Sequence, residues 1–476
     1  MQKHVMILEV SQKQNYIFAS RKLKENIQRS DDIAWVTSSA FFEETCPRDY
    51  DHRLNMVYSG GGHTVVAFDT EEDADRFARA VTTRVLRDYP GMELFVKRLP
   101  YNEELPAGEN LNQLSRELEI KKSQRQSAFR TWALGVEKPR PVPERDLDTN
   151  NFKIPSGWNA TAHLESLDHQ DNFLAVIHID GNNMGKRVQR IYDSCGFNWN
   201  ECVRKLDLFS KEIDEHFAMA FDEMAEDLAR ELEKQKWKGR ALPLRKIIGA
   251  GDDLCFITTG KLGMECAASF LRHLSSKKNK ADQEHYTACA GVVLIHKKYP
   301  FHKAYEMSEA LCRSAKAFVS QYGGSISAVD FHVEYGQMKS TLAEIRQDYC
   351  TDDGGRLELR PVAVTNCGAV PQERTYGYLK QKLRLLKGMI KDQENDRGRN
   401  DDTKIARSKV KILRGPFHQG EWETKLAMRM QEAEGILVAD GVDSAFYTDD
   451  KNVRRNRYFD AIELLDVTNL WQEVYR

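Results

Sequence analysis

Three carboxylates in this 476-residue chain stand where they could hold divalent cations. Asp180 ends the apolar run FLAVIHID (173–180) and is followed by GNNMG. Asp252 and Asp253 lie together in KIIGAGDDLCFITTG (246–260), between a Gly-Ala-Gly turn and a β-forming run. Adjacent carboxylates repel each other, so a sequence that gathers them invites a cation. Mg²⁺ prefers hard oxygen ligands and shares them with substrate phosphates. Two such ions can clamp the attacking and leaving oxygens of phosphoryl transfer. The plainer reading is a turn, since Gly and Asp both favour turns. The strand-ending Asp180, with glycines after it, favours chemistry.

The elements that must position these residues occur twice. HVMILEV (4–10) reads as a buried strand, and a helix-forming segment follows over roughly 20–45. NMVYSGGGHTVVAF (55–68) reads as a hairpin around a glycine turn. TEEDADRFARAVTTRVLRDY (70–89) has a threonine cap, an acidic first turn and helical apolar periodicity. MELFVKRL is a fourth strand. The order β-α-β-β-α-β is ferredoxin-like. It returns with the strand 173–180, a helix over 200–236, a hairpin over 245–259, the helix MECAASFLRHLSS and the strand YTACAGVVLI. A helix over 301–320 and a strand SISAVDFHV are added. Set side by side, the Gly60–Gly62 turn matches Gly249-Ala250-Gly251. His63 and Thr64 then fall at Asp252 and Asp253, and Glu9 falls at Asp180. One copy carries the carboxylates and the other has lost most of them.

The expected fold class is α+β: two ferredoxin-like domains, the second carrying the acidic site, and a mainly helical C-terminal region. The expected divisions are a first domain over 1–100, an irregular insert over 101–170, a second domain over 171–335 and the helical region over 336–476. The net charge of −2 with 30% charged residues excludes a polybasic nucleic-acid binder and an acidic disordered chain. No apolar stretch is long enough for a membrane span. Nine scattered cysteines without a C-x-x-C pair fit a reducing, cytoplasmic setting.

The motifs resemble the large polymerase-cyclase subunit of type III CRISPR effector complexes. HIDGNNMG is similar to that family's DGDNMG, and GAGDD to its GGDD. EVSQKQNYIFASRKLKENIQRS is similar to its D-x-S-G-I-Q-x-x-I-F…K-L-K-E segment. GVVLIHKKYPFHKAYEMSEALCRSAK is similar to the following strand and helix, which relate more distantly to GGDEF cyclases. The resemblance implies two facing palm domains. It implies that Asp180 and Asp252 are the main ligands of Mg²⁺ or Mn²⁺, with Asp253 completing the site. Gly181, Asn182, Asn183, Gly249 and Gly251 would lie along the nucleotide, and Lys316 would contact its triphosphate. Asn182 and Ala250 depart from the family's Asp and Gly. The chain has no His-Asp dipeptide, so the family's nuclease domain is not expected, and a compact relative is.

The implied activity condenses NTPs, with ATP favoured, into a cyclic nucleotide or oligonucleotide signal for antiviral defence. A 3′-OH would attack an α-phosphate and release pyrophosphate. The Gly60, Gly61, Gly62 turn is a candidate acceptor site, or only shapes its hairpin. The alternatives are a palm-fold scaffold in an RNA-guided ribonucleoprotein and a GGDEF-type dinucleotide cyclase. The basic helices of 380–414, around the polar loop DQENDRGRNDD, are read as a solvated face or as a docking site for RNA or other effector subunits. His178 is expected to pack, and Cys255 to behave as a small apolar group. His296, Lys297, Lys298 and His302 are read as a solvated loop or as cations facing the triphosphate.

Overall fold

The computed structural model describes residues 3–19, 23–133, 152–161, 172–237, 241–336, 341–390 and 404–471. In the first sheet, β1 (His4–Ser11) is apolar on both faces because it lies inside the sheet and is covered. Short helices α1 (Lys13–Ile17), α2 (Leu23–Val36), α3 (Ser39–Thr45) and α4 (His52–Asn55) lead to the hairpin β2 (Met56–Gly60) and β3 (His63–Phe68). Helix α5 (Glu71–Asp88) starts where the Thr70 side chain accepts the Asp73 amide, with three acids in its first turn. Its stripe of Ala74, Phe77, Val81 and Val85 is buried. Strand β4 (Glu93–Pro100) closes the sheet in the order β2-β3-β1-β4.

The expected irregular insert begins instead with a long helix, α6 (Ala107–Ala133). Leu111, Leu114 and Leu118 recur at helical spacing and are buried. Lys97 on β4 and Glu117 on α6 form an ion pair at 2.9 Å. The proline-rich composition downstream hid this period. The segment PRPVPERDLDTNN lies outside the described residues.

The second sheet contains β5 (Phe173–Gly181), then α7 (Met184–Cys195) and α8 (Trp199–Lys234) follow. The hairpin β6 (Leu244–Ala250) and β7 (Asp253–Thr259), helix α9 (Gly263–Ser275), β8 (Ala288–His296), α10 (Phe301–Gln321) and β9 (Ser327–Val333) complete it. Its inner order β8-β5-β7-β6 repeats the order β4-β1-β3-β2 of the first sheet. Helix α10 presses onto β8 at Gly291, where a Cβ would stand 1.9 Å from the Ser308 carbonyl oxygen. Only glycine permits that approach.

The C-terminal region is mainly helical, yet it lends a strand to the second sheet. After α11 (Leu342–Gln347), β10 (Val362–Thr365) pairs antiparallel with β9. Helices α12 (Tyr376–Met389), α13 (Arg407–Ile412), α14 (Arg414–Gln419), α15 (Glu421–Met430) and α16 (Gly435–Asp440) follow. The hairpin β11 (Phe446–Thr448) and β12 (Arg454–Asn456) precedes α17 (Phe459–Leu464). Buried Arg360 fastens the region: its Nε donates to Asp460 Oδ1 at 2.8 Å, and its guanidinium lies 4.1 Å from the Phe331 ring centroid on β9. Two lysines of α12 turn inward, contrary to a solvated face, while Arg384 and, on α13, Arg407 and Lys411 stay exposed. Lys380 is buried 2.9 Å from Glu265, and Lys382 pairs with Asp440. The DQENDRGRNDD loop lies outside the described residues. Among the described residues, no helix is long and apolar enough to cross a membrane.

The hairpin registers correct the alignment of the two copies. Gly60 pairs with His63, and Ala250 pairs with Asp253. The two-residue loops are therefore Gly61-Gly62 and Gly251-Asp252. His63 corresponds to Asp253, and Gly62 to Asp252, one place from the expected match. Glu9 does correspond to Asp180, since Glu9 faces His63 as Asp180 faces Asp253. Gly61 and Gly62 both have positive φ, the pattern of a type I′ turn. In the second loop Gly251 has φ +64 and Asp252 is not left-handed, the pattern of type II′. That second position tolerates a side chain, which is why a carboxylate can stand there.

Candidate active site

Asp180 on β5 and Asp253 on β7 are direct antiparallel partners, so both project from the same face at the same end of the sheet. Asp252 stands in the adjoining turn. A Cβ on Gly181 would lie 3.0 Å from Asp252 Oδ2, which puts this carboxylate against the Gly181 backbone. Helix α10, drawn down at Gly291, brings Lys316 to the same point. Its Nζ lies 2.6 Å from Asp180 Oδ2 and donates to the Gly181 carbonyl at 2.9 Å. Burial opposes the charge on Lys316, but Asp180 outweighs it and raises its pKa.

The other two carboxylates are not compensated in this way. Burial first, and then the charge of Asp180, push both Asp252 and Asp253 up to about 7. The Asp253 side chain keeps 46% of its surface open and lines the cavity between the two glycine turns. Its Oδ1 is enclosed and has no hydrogen-bond partner. His178 Nδ1 stands 3.6 Å away, too far for a hydrogen bond. His178 is buried edge-on to Tyr305, the packing role expected for it.

Hard oxygen donors, one buried and unpartnered, suit a divalent cation. The cage is incomplete: among the described residues no three His, Cys, Asp or Glu side chains close into a metal-binding group. Phosphate and water would have to supply the remaining positions, which is how Mg²⁺ is usually held.

Two cavities flank the cluster. One, of about 470 Å³, lies between the glycine turns and is lined by Gly60, Gly61, Gly62, Gly249, Gly251 and Asp253. The other, of about 650 Å³, opens at the N-terminus of α7 beside Asn183, Lys186 and Arg190. The expected nucleotide-binding residues are thus divided between two spaces, except Gly181 and Lys316, which line neither. Asn182 also lines the second cavity, but its amide donates to Thr287 Oγ1 at 3.2 Å and to the Ile326 carbonyl at 3.0 Å. It braces the β5–α7 turn. His296, Lys297, Lys298 and His302 lie elsewhere. His296 pairs with Phe173 at the opposite end of β5 from Asp180. That is about 25 Å of strand away.

Residues 173–320 match the family described as Cas10/Cmr2, second palm domain. This is a Cas10-like palm-domain protein. The Cas10-like segment runs from the start of β5 into α10, and so contains Asp180, Asp252, Asp253 and Lys316. The structure of the apo Csm1-Csm4 cassette is similar at TM-score 0.56 and 12% identity, over 98% of this chain and 69% of that one. Csm1 in T. onnurineus is similar at TM-score 0.51 and 14% identity, over 98% and 70%. The Csm1-Csm4 cassette in complex with cA4 is similar at TM-score 0.52 and 12% identity, over 98% and 69%. At these identities the likeness shows the fold alone. No curated protein sequence matches the chain.

The Cas10-like site also contains residues that the motifs did not mark. Asp214 on α8 accepts the Gly251 amide at 2.9 Å and so holds the second turn. Its i, i+3, i+4 apolar neighbours signalled a helix but gave no sign of this contact. Glu309 on α10 adds to the charge felt by Asp253 and His178, and Tyr305 packs edge-on to His178. Lys13 comes from the first half of the chain and lies among Glu9, Asp253 and Asp252.

Proposed function

We propose that the chain is a metal-dependent nucleotidyltransferase that condenses NTPs, ATP above all, into a cyclic nucleotide or oligonucleotide. The observation that carries the reading is the Asp180–Asp253 register pair with Asp252 beside it, holding an enclosed and unpartnered carboxylate oxygen. On this reading the two halves, 1–100 and 171–335, are ferredoxin-like palms, and 336–476 supports the second. Asp180, Asp252 and Asp253 would hold Mg²⁺ or Mn²⁺. When bound, these cations would activate the 3′-OH and stabilise charge on the transferring phosphate.

The chain's own groups do the rest. Lys316 compensates Asp180 and stands ready to meet phosphate as a point charge. The amides at the start of α7, with Lys186 and Arg190, offer a positive end to a triphosphate. The bare Gly60–Gly62 turn leaves room for an acceptor nucleotide close to backbone, whose orientation raises its effective concentration. ATP is favoured because structures of this fold are described in complex with cA4 and cA3. The Csm1-Csm4 cassettes favour work beside another effector subunit. With Lys380 and Lys382 buried, that contact is not made through them.

A scaffold reading has one observation in its favour, the incomplete carboxylate cage among the described residues. Mass spectrometry of products from the four NTPs with Mg²⁺ or Mn²⁺ separates the two. The enzyme reading expects pyrophosphate and cyclic products. Unchanged NTPs with either ion, in the presence of a partner subunit, would leave the scaffold.

A further inference from the structure

We propose that Lys13 is a phosphate-binding residue that the first half of the chain delivers to the acidic site of the second. The inference rests on the nucleotidyltransferase reading and names the residue that makes the site a joint product of both halves.

The path of the chain places Lys13. After β1, Gln12 takes a left-handed conformation with φ 50, which turns the chain out of the sheet into α1. Helix α1 then docks on α10. Phe18 lies 4.3 Å from the Tyr305 ring and 5.7 Å from the Phe301 ring, and Gln14 donates to Glu309. Lys13, the first residue of α1, is therefore held near Glu309 of α10. Its ammonium donates to the Gly61 carbonyl.

The first turn is shaped for this lysine. A Cβ on Gly62 would stand 2.9 Å from Lys13 Cε. Gly62 occupies the place that Asp252 takes in the second hairpin. Where the second half has a carboxylate, the first has a gap, and a lysine stem fills it. Glu9, the first-half carboxylate at the place of Asp180, is compensated by Lys122 at 3.0 Å. The first half thus presents positive charge to the three aspartates of the second.

A lysine ammonium has three donors and no acceptor. One goes to Gly61, which fixes the group beside that turn, among Glu9, Asp253 and Asp252. A triphosphate entering beside three carboxylates meets strong repulsion. A fixed cation from the first half, added to Lys316, reduces it without needing to be recruited from solvent.

The proposal predicts two effects of opposite sign in Lys13→Met, which keeps the length of the stem. Binding of a non-hydrolysable ATP analogue with Mg²⁺, measured by calorimetry, should weaken roughly ten- to a hundredfold, the scale of one charge-assisted hydrogen bond. Binding of Mn²⁺ to the nucleotide-free protein, measured by electron paramagnetic resonance, should tighten severalfold because a competing positive charge is gone. Lys13→Arg should restore analogue binding. If both affinities fell together in Lys13→Met, the role would be structural and the proposal wrong. Unchanged analogue affinity would also overturn it. A wild-type protein that bound no analogue would remove the nucleotidyltransferase reading itself, and the proposal with it.

Discussion

Gly251 packs against Gly61: a Cβ on Gly251 would stand 3.4 Å from the Gly61 amide nitrogen. The two halves of the chain therefore meet turn to turn, at the point where one carries carboxylates and the other carries glycine. Asp214 holds Gly251 in place by accepting its amide. Each turn is thus part of the other's surroundings, and the cavity between them belongs to both.

Replacing Gly251 with valine should disturb this contact in two ways. Its φ of +64 is unfavourable for a branched side chain, at a cost of about 1–2 kcal/mol. The new methyls would also press on Gly61. Urea unfolding should show the loss of stability, and pyrophosphate release should fall with it. A Gly251→Val protein with wild-type stability and turnover would contradict the described contact.

The Arg360 cluster predicts a larger effect far from the acidic site. Asp460 accepts Arg360 Nε and the amides of Leu359 and Arg360, the latter two at 2.8 and 2.9 Å. Asp460→Ala would leave a buried guanidinium partly uncompensated, so a loss of about 3–5 kcal/mol is expected. Calorimetric unfolding measures it. A loss under 1 kcal/mol would mean that water reaches Arg360.

His63 sets a pH dependence. Burial, then the charges of Lys13 and Lys122, lower its pKa from the ordinary 6.5 to about 4. Between those values the unfolded chain binds more protons than the folded one. The contribution of this residue to stability is therefore lost as pH falls from about 6.5 toward 4. His63→Asn should lose less stability than the wild type across that window. Parallel stability curves from urea unfolding at pH 7, 5.5 and 4.5 would contradict the assignment.

The repeat, the hairpins and the carboxylate cluster were legible because each rests on local pattern. Asp180 ends an apolar run, and Asp252 follows a glycine that a tight turn requires. Helix α6 was not legible, because three leucines at helical spacing were outweighed by the prolines and asparagines that follow. The hairpin alignment slipped by one place because three glycines resemble Gly-Ala-Gly. Only the closing pairs Gly60–His63 and Ala250–Asp253 fix the loop. The lysines of α12 looked like a solvated face, but Glu265 and Asp440, distant in sequence, draw Lys380 and Lys382 inside. Lys13 and Asp214 were hidden for the same reason. Lys13 meets carboxylates of the other half, and Asp214 holds a turn 37 residues away, so no local spacing records either contact.

The central claim is that Asp180, Asp252 and Asp253 form the chemical centre, and pyrophosphate release from ATP tests it most directly. It should be followed in Mg²⁺ and Mn²⁺ for the wild type and for Asp252→Asn with Asp253→Asn. Both substitutions remove charges that repel each other and Asp180, so the double variant should fold with undiminished thermal stability. The account predicts that its pyrophosphate release falls by orders of magnitude. Release equal to that of the wild type, from a folded double variant, would contradict it.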